Sequence, residues 1–233
     1  MGLTAVGLGL YGYQQLQGSD PQSTPPKNGG DGKASDGGGG KASDGGGAST
    51  AGRDIDRSVP YLELASDSSG PTLDLLLDFR CPPCRLFMEM HGKLLRSLVE
   101  EKKAKLRIHP RPMLDLRRPS TYSQDTAAAA AAVYAQDPGL LLDFEAAMYA
   151  KQPKTPEEPE AGIEEIAEVA KSIGGDATCL EQITKRVYVP WTLEVVEPAA
   201  QKLEVGTPTL IVDGKIWEGD WRVAGAMEEA IGV

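Results

Sequence analysis

The chain has 233 residues and a net charge of −10. Sixteen of its 27 glycines fall in the first 57 positions, which leaves residues 58–233, 176 in all, as the part able to bury one sizeable core without disulfide staples or structural metals. The charge divides as −1 on residues 1–57 and −9 on the rest, a balance that argues against nucleic acid as a partner, and three cysteines are too few for a disulfide scaffold.

Residues 1–17 form an apolar N-terminal segment. Its first 13 residues, MGLTAVGLGLYGY, carry no charged side chain, yet as a helix they would reach only about 20 Å of a hydrocarbon core about 30 Å thick. No basic stretch precedes them as in a signal peptide, and Val6 breaks the myristoylation pattern. The segment reads as the C-terminal half of a membrane anchor or signal, with an apolar disordered terminus as the alternative. Residues 18–57 read as a flexible linker, in which GKASDGGG occurs at 32–39 and again at 40–47. With no apolar face to bury, such a sequence cannot offset its chain entropy, and it suits a tether.

From Pro60 the texture changes. Tyr61–Ala65 is a short strand, Asp67-Ser68-Ser69-Gly70-Pro71 a turn, and 72–79 (TLDLLLDF) a strand whose continuous apolar centre implies that both faces are covered. Apolar residues at Leu86, Phe87, Met90, Leu94, Leu95 and Leu98 have helical spacing from Cys84 to about Glu100. Ala104–His109 is the next strand. It lies inside the most basic stretch, Lys102 to Arg118, which crosses a strand and a proline-rich turn and so presents no single basic helix face. About 120–187 is mostly helical: the alanines after Thr126, then Leu140–Ala150, Gly162–Ile173 and Ala177–Val187. The acidic stretch Glu157–Glu168 reads as a solvated face. Pro208–Val212 and Lys215–Trp217 flank Asp213-Gly214, a hairpin dipeptide, and Arg222–Ile231 is a last amphipathic helix.

Two of the cysteines are spaced as Cys81-Pro82-Pro83-Cys84, at the junction of a strand and a helix. A cysteine at a helix N-terminus faces unpaired N–H groups and the positive end of the helix dipole, which favours its thiolate. That makes Cys81 the exposed nucleophile and Cys84, one turn in, the resolving partner. Pro82 and Pro83 fit the first helical positions but bring no N–H. The Cys81 thiolate therefore keeps chiefly the N–H of Cys84, and no histidine lies between the cysteines to add a cation. A permanent bridge or inert thiols would be the non-catalytic reading. Cys179, in the helical region, reads as a small buried hydrophobe, His91 and His109 as packed or surface residues, and the three tryptophans as core or groove-edge residues. No second CxxC or His pair stands at metal-ligand spacing.

Strand, CxxC, helix, strand, helices, hairpin, helix is the element order of a thioredoxin fold with a helical insertion. Asp78-Phe79-Arg80-Cys81-Pro82-Pro83-Cys84-Arg85-Leu86-Phe87 resembles the active-site segment of the DsbA-like thiol-disulfide oxidoreductases, and Gly206-Thr207-Pro208-Thr209-Leu210 resembles that family's cis-proline loop. The resemblance implies an α/β thioredoxin-like domain over 58–233 with an inserted all-helical subdomain at about 120–187. It implies an extracytoplasmic enzyme, membrane-tethered or secreted, that exchanges disulfides with unfolded or partly folded protein thiols. No cofactor beyond the Cys81–Cys84 pair is implied, and a separate redox partner would recycle it. Thr207 and Pro208 would bind substrate backbone as an added strand, and Asp78 would handle protons near Cys84. Thioredoxin itself keeps a buried carboxylate where this chain has Leu75, so the proton acceptor is the point of departure. A disulfide reductase or isomerase, or a non-catalytic peptide-binding module, are the alternatives. Without a histidine in the motif, a less depressed Cys81 pKa and a less oxidising couple are expected.

Overall fold

The computed structural model describes residues 54–232 apart from 118 and 156. The apolar segment at 1–17 and all but the last four residues of the expected linker lie outside the described residues. Of those four, Ile55 is buried in the main core, and Asp54, though exposed, accepts a hydrogen bond from the Tyr188 hydroxyl at 2.8 Å. The packed chain therefore includes residues ahead of the Ser58 boundary expected from composition.

Five strands form one sheet in the order β1-β3-β2-β4-β5, with β1 Leu62–Leu64, β2 Thr72–Leu77, β3 Lys105–Pro110, β4 Thr209–Val212 and β5 Lys215–Ile216. β2 and β3 are parallel and joined by α1, Pro82–Glu100; the other pairings are antiparallel. Leucines at 73, 75 and 77 enter the main core, while Leu76 packs with Ala200 and Ile211 in a second, smaller cluster. Burial on both faces explains why β2 is apolar without alternation. Its one acid, Asp74, is fully buried and accepts from His109 Nε2 at 2.8 Å on the neighbouring strand. The turn before β2 requires Gly70, since a Cβ there would lie 1.7 Å from the Lys103 carbonyl oxygen.

α1 buries Cys84, Phe87, Met88, His91, Leu95 and Leu98 against the sheet and the insert. Between β3 and β4 come α2 Tyr122–Gln136, α3 Leu141–Ala150, α4 Ile163–Ser172 and α5 Ala177–Thr184. α2 is the centre of this insert, packed against α3, α4 and α5. Its run Ala127–Ala132 is buried throughout, because small side chains let helices close in from several directions. Four of the seven basic residues of the stretch Lys102 to Arg118 are engaged in ion pairs: Lys102 with Asp67, Lys103 with Glu101, Arg107 with Glu63 and Arg111 with Glu197.

Three elements differ from expectation. The chain beyond 187 continues as α6 Val189–Trp191, a π-helical turn Thr192–Val196 and α7 Glu197–Gln201, a segment whose Pro190, Pro198 and β-branched residues hide the helical period. The last helix, α8, is only Ala226–Ile231, because Gly225 ahead of it is left-handed at φ 80° and Asp220 holds a turn by accepting from Arg222 N–H. The strand expected over 72–79 stops at Leu77, where the chain turns toward α1. No helix among the described residues is long and apolar enough to cross a membrane.

Candidate active site

The strand-to-helix turn puts Cys81 at the start of α1. Its N–H donates to the Asp78 carbonyl at 3.0 Å, and it caps the helix with φ −72° and ψ 116°. Pro82 and Pro83 fill the first helical positions. The N–H groups of Cys84 and Arg85 both donate to the Cys81 carbonyl, at 3.1 and 3.2 Å. Cys81 Sγ, not engaged in capping, donates to the Thr207 carbonyl at 3.3 Å across 126 residues of sequence. Thr207–Pro208 is a cis peptide bond leading into β4, the strand beside β2. The sheet thus brings the two sequence motifs together. All three cysteines are free thiols.

Cys81 is only 6% exposed, which corrects the expectation of an exposed nucleophile: Thr207 covers one side of it. Its pKa is lowered from 9.0 to about 7. The largest cause is the Cys84 thiol, which donates its S–H to the Cys81 thiolate; burial opposes this, and the Thr207 hydroxyl and Cys84 N–H assist it. That hydroxyl is buried with no other hydrogen-bond partner among the described residues, so it can turn to an ionised Sγ. The Cys84 side chain, more than its backbone N–H, therefore compensates for the two prolines. Cys84 is fully buried, and burial followed by its bond to Cys81 holds its pKa well above 9.0. The pair is electrically asymmetric, one thiol made more acidic and the other less.

Asp78 is fully buried behind the motif. Burial pushes its carboxyl from 3.8 up to about 6 despite hydrogen bonds from the Leu114 and Arg80 N–H groups at 2.9 and 2.8 Å and from Ser123 Oγ at 2.8 Å. Those three donors hold the carboxylate in place, and its negative charge opposes the Cys81 thiolate. Arg80 makes its ion pair with Glu160 rather than with Asp78.

Residues 66–231 match the family described as Thioredoxin. The chain belongs to the thioredoxin family. Its fold is shared by the reduced DsbA from Mycobacterium tuberculosis, at 23% identity and a TM-score of 0.65 over 74% of this chain and 90% of that one. The reduced DsbG from the same organism gives 22% and 0.64 over 73% and 85%. The oxidised BdbD from Bacillus subtilis gives 21% and 0.62 over 78% and 95%. The expected α/β architecture, a thioredoxin-like sheet with helices inserted between β3 and β4, is therefore the one present. No curated protein matches the chain.

The thioredoxin-family site also uses residues that the sequence left unmarked. Arg111 forms a two-point ion pair with Glu197 of α7, at 2.9 and 2.8 Å, and donates to the Val205 carbonyl at 2.7 Å, two residues before Thr207. It ties the cis-proline loop to the end of β3. From α3, the Tyr149 ring stacks on Phe79 at 5.2 Å between centroids, and the Gln152 amide reaches the turn. No group of His, Cys, Asp and Glu suited to a metal ion occurs among the described residues.

The three thiols should react at very different rates. Cys179 is 1% exposed, and burial raises its pKa to about 11. At pH 7 about half of Cys81 and roughly one part in 10⁴ of Cys179 would be thiolate. The reduced protein should take up one equivalent of iodoacetamide rapidly, mapping to Cys81 by peptide mass. Labelling of Cys179 at the same rate would contradict this.

Proposed function

We propose that this protein is an extracytoplasmic thiol-disulfide oxidoreductase acting on the thiols and disulfides of unfolded or partly folded proteins. The observation that carries the reading is the pairing of a low-pKa Cys81 with a buried, protonated Cys84 against the Thr207–Pro208 loop. The Cys81 thiolate attacks one sulfur of a substrate disulfide, forming a mixed disulfide and releasing the other substrate sulfur as thiolate. Cys84 then gives up its proton, attacks Cys81 Sγ and expels the second substrate thiolate. The substrate disulfide is reduced, and Cys81 and Cys84 become a disulfide; the reverse sequence oxidises a substrate dithiol. Asp78, with a pKa near neutrality, is the acid-base group of the site. Thr207, at the entry to β4, offers backbone to an extended substrate segment. Residues 1–17 and the linker would tether or export the domain, and a separate redox partner would reset the pair. No cofactor is required.

The test is equilibration with glutathione buffers of graded potential, read by mass after acid quench and alkylation. Cys81 and Cys84 should interconvert as a two-electron couple while Cys179 stays a thiol. A pair that remains in one state across the series would favour the non-catalytic peptide-binding module.

A further inference from the structure

α3 turns one face toward the active-site turn. Glu145, Tyr149 and Gln152 follow at intervals of four and three residues, so they share that face, and all three are buried. Gln152 sits just past the end of α3 and is 2% exposed, although Lys151 beside it is exposed. Its Nε2 donates to the Phe79 carbonyl at 2.7 Å and to the Cys81 carbonyl at 3.0 Å. Both partners are acceptors only, so the amide orientation is fixed by chemistry. Its Oε1 is buried with no hydrogen-bond partner among the described residues. A side chain that merely filled this space would be better apolar, since an unpaired buried oxygen is costly. What the amide supplies is its two donors.

The Cys81 carbonyl already receives the N–H groups of Cys84 and Arg85. Gln152 adds a third donor from a different part of the fold, and the Phe79 bond fixes the chain on the other side of Arg80. We propose that Gln152 is a positioning residue for thiol exchange, locking the Cys81 backbone at its helix-capping angles so that Sγ stays aligned with the donors that stabilise its thiolate. The inference rests on Cys81 being the nucleophile. The groups that act on that thiolate are Cys84 from α1, Asp78 from the turn and Thr207 from the cis-proline loop, while Tyr149 of α3, its own pKa raised by burial, faces them as a neutral phenol. Their effect depends on where Sγ lies.

The experiment measures the rate of Cys81 alkylation against pH in the full chain, together with the thermal midpoint, for wild type, Gln152→Met and Gln152→Asn. Methionine keeps the length without the donors; asparagine keeps the amide but is one methylene too short to span both carbonyls. Gln152→Met should move the alkylation midpoint up by about one pH unit, which slows the reaction at pH 6 about tenfold, and Gln152→Asn should fall between it and wild type. If Gln152→Met does not fold, Gln152→Asn alone must show the upward shift. A variant that melts earlier but keeps the wild-type midpoint would overturn the proposal, because it would reduce Gln152 to a packing residue. Cys81→Ser is the separate control: a fast-reacting thiol that survives it would refute the nucleophile assignment itself.

Discussion

A Cys84→Ala protein should accumulate a stable mixed disulfide between Cys81 and a substrate thiol, whereas Cys81→Ser should form none and lose exchange altogether. The second outcome follows from chemistry, since a serine hydroxyl is not ionised near neutral pH and cannot stand in for a thiolate. The first has two parts. Removing Cys84 removes the only sulfur within one helical turn of Cys81, so the attack that expels substrate has no nucleophile. It also removes the S–H that is the largest cause of the lowered Cys81 pKa. The adduct should therefore form more slowly than in wild type at pH 7 and yet persist, and raising the pH toward 9 should restore the rate of formation. Non-reducing gels and intact mass on protein mixed with a reduced, unfolded substrate and an oxidant read both features. Absence of any adduct at every pH would mean that the Cys81–Cys84 pair does not exchange with protein thiols.

Much of this site could be read along the chain because its parts are local. A cysteine at a strand-to-helix junction, a partner three residues on and a Thr-Pro ahead of a hairpin are short-range patterns, and the sheet then brings Thr207 to Cys81. Cys179 behaves as the buried hydrophobe expected, and His91 is packed, with Nε2 2.8 Å from the Trp221 carbonyl. The residues that escaped notice are those defined by distant partners. Gln152 lies in Lys151-Gln152-Pro153-Lys154, which reads as a polar loop, and its meaning comes from carbonyls more than seventy positions earlier. Arg111 belongs to a stretch that looks like surface charge until Glu197 arrives from α7. Asp78 is visible from its place before the motif, but Ser123, which holds it, is one hydroxyl at the start of a helix. The π-helical turn at Thr192–Val196 is held together by neighbours, against the preferences of its own residues.

Glu145 is the most consequential group of this kind. Its charge alone would make it a solvated position of Leu141–Ala150, yet it is fully buried on the face of Leu141, Met148 and Tyr149, and neither carboxylate oxygen has a hydrogen-bond partner among the described residues. Burial alone raises its pKa from 4.5 to about 8. A carboxyl that holds its proton in the folded state and loses it in the unfolded state contributes stability below pH 4.5, and that contribution is lost as pH rises through 8. At about 1.4 kcal/mol per pH unit the full loss is about 5 kcal/mol, a large share of the roughly 5–15 kcal/mol that holds a domain folded. Asp78, raised from 3.8 to about 6, acts with the same sign over a lower range. Cys81, lowered to about 7, acts with the opposite sign at higher pH in the reduced protein, so the clean window is pH 5 to 7. Across it, urea unfolding of the wild type should show a loss of about 4 kcal/mol, and Glu145→Gln should show only the share due to Asp78, about 1.4 kcal/mol. The variant should also unfold at higher urea than wild type at pH 7, because nothing in it must be ionised on unfolding or kept un-ionised on folding at that position. Parallel stability curves for the two proteins between pH 5 and 7 would show that Glu145 finds water or a counter-charge in solution and is not held protonated inside the insert.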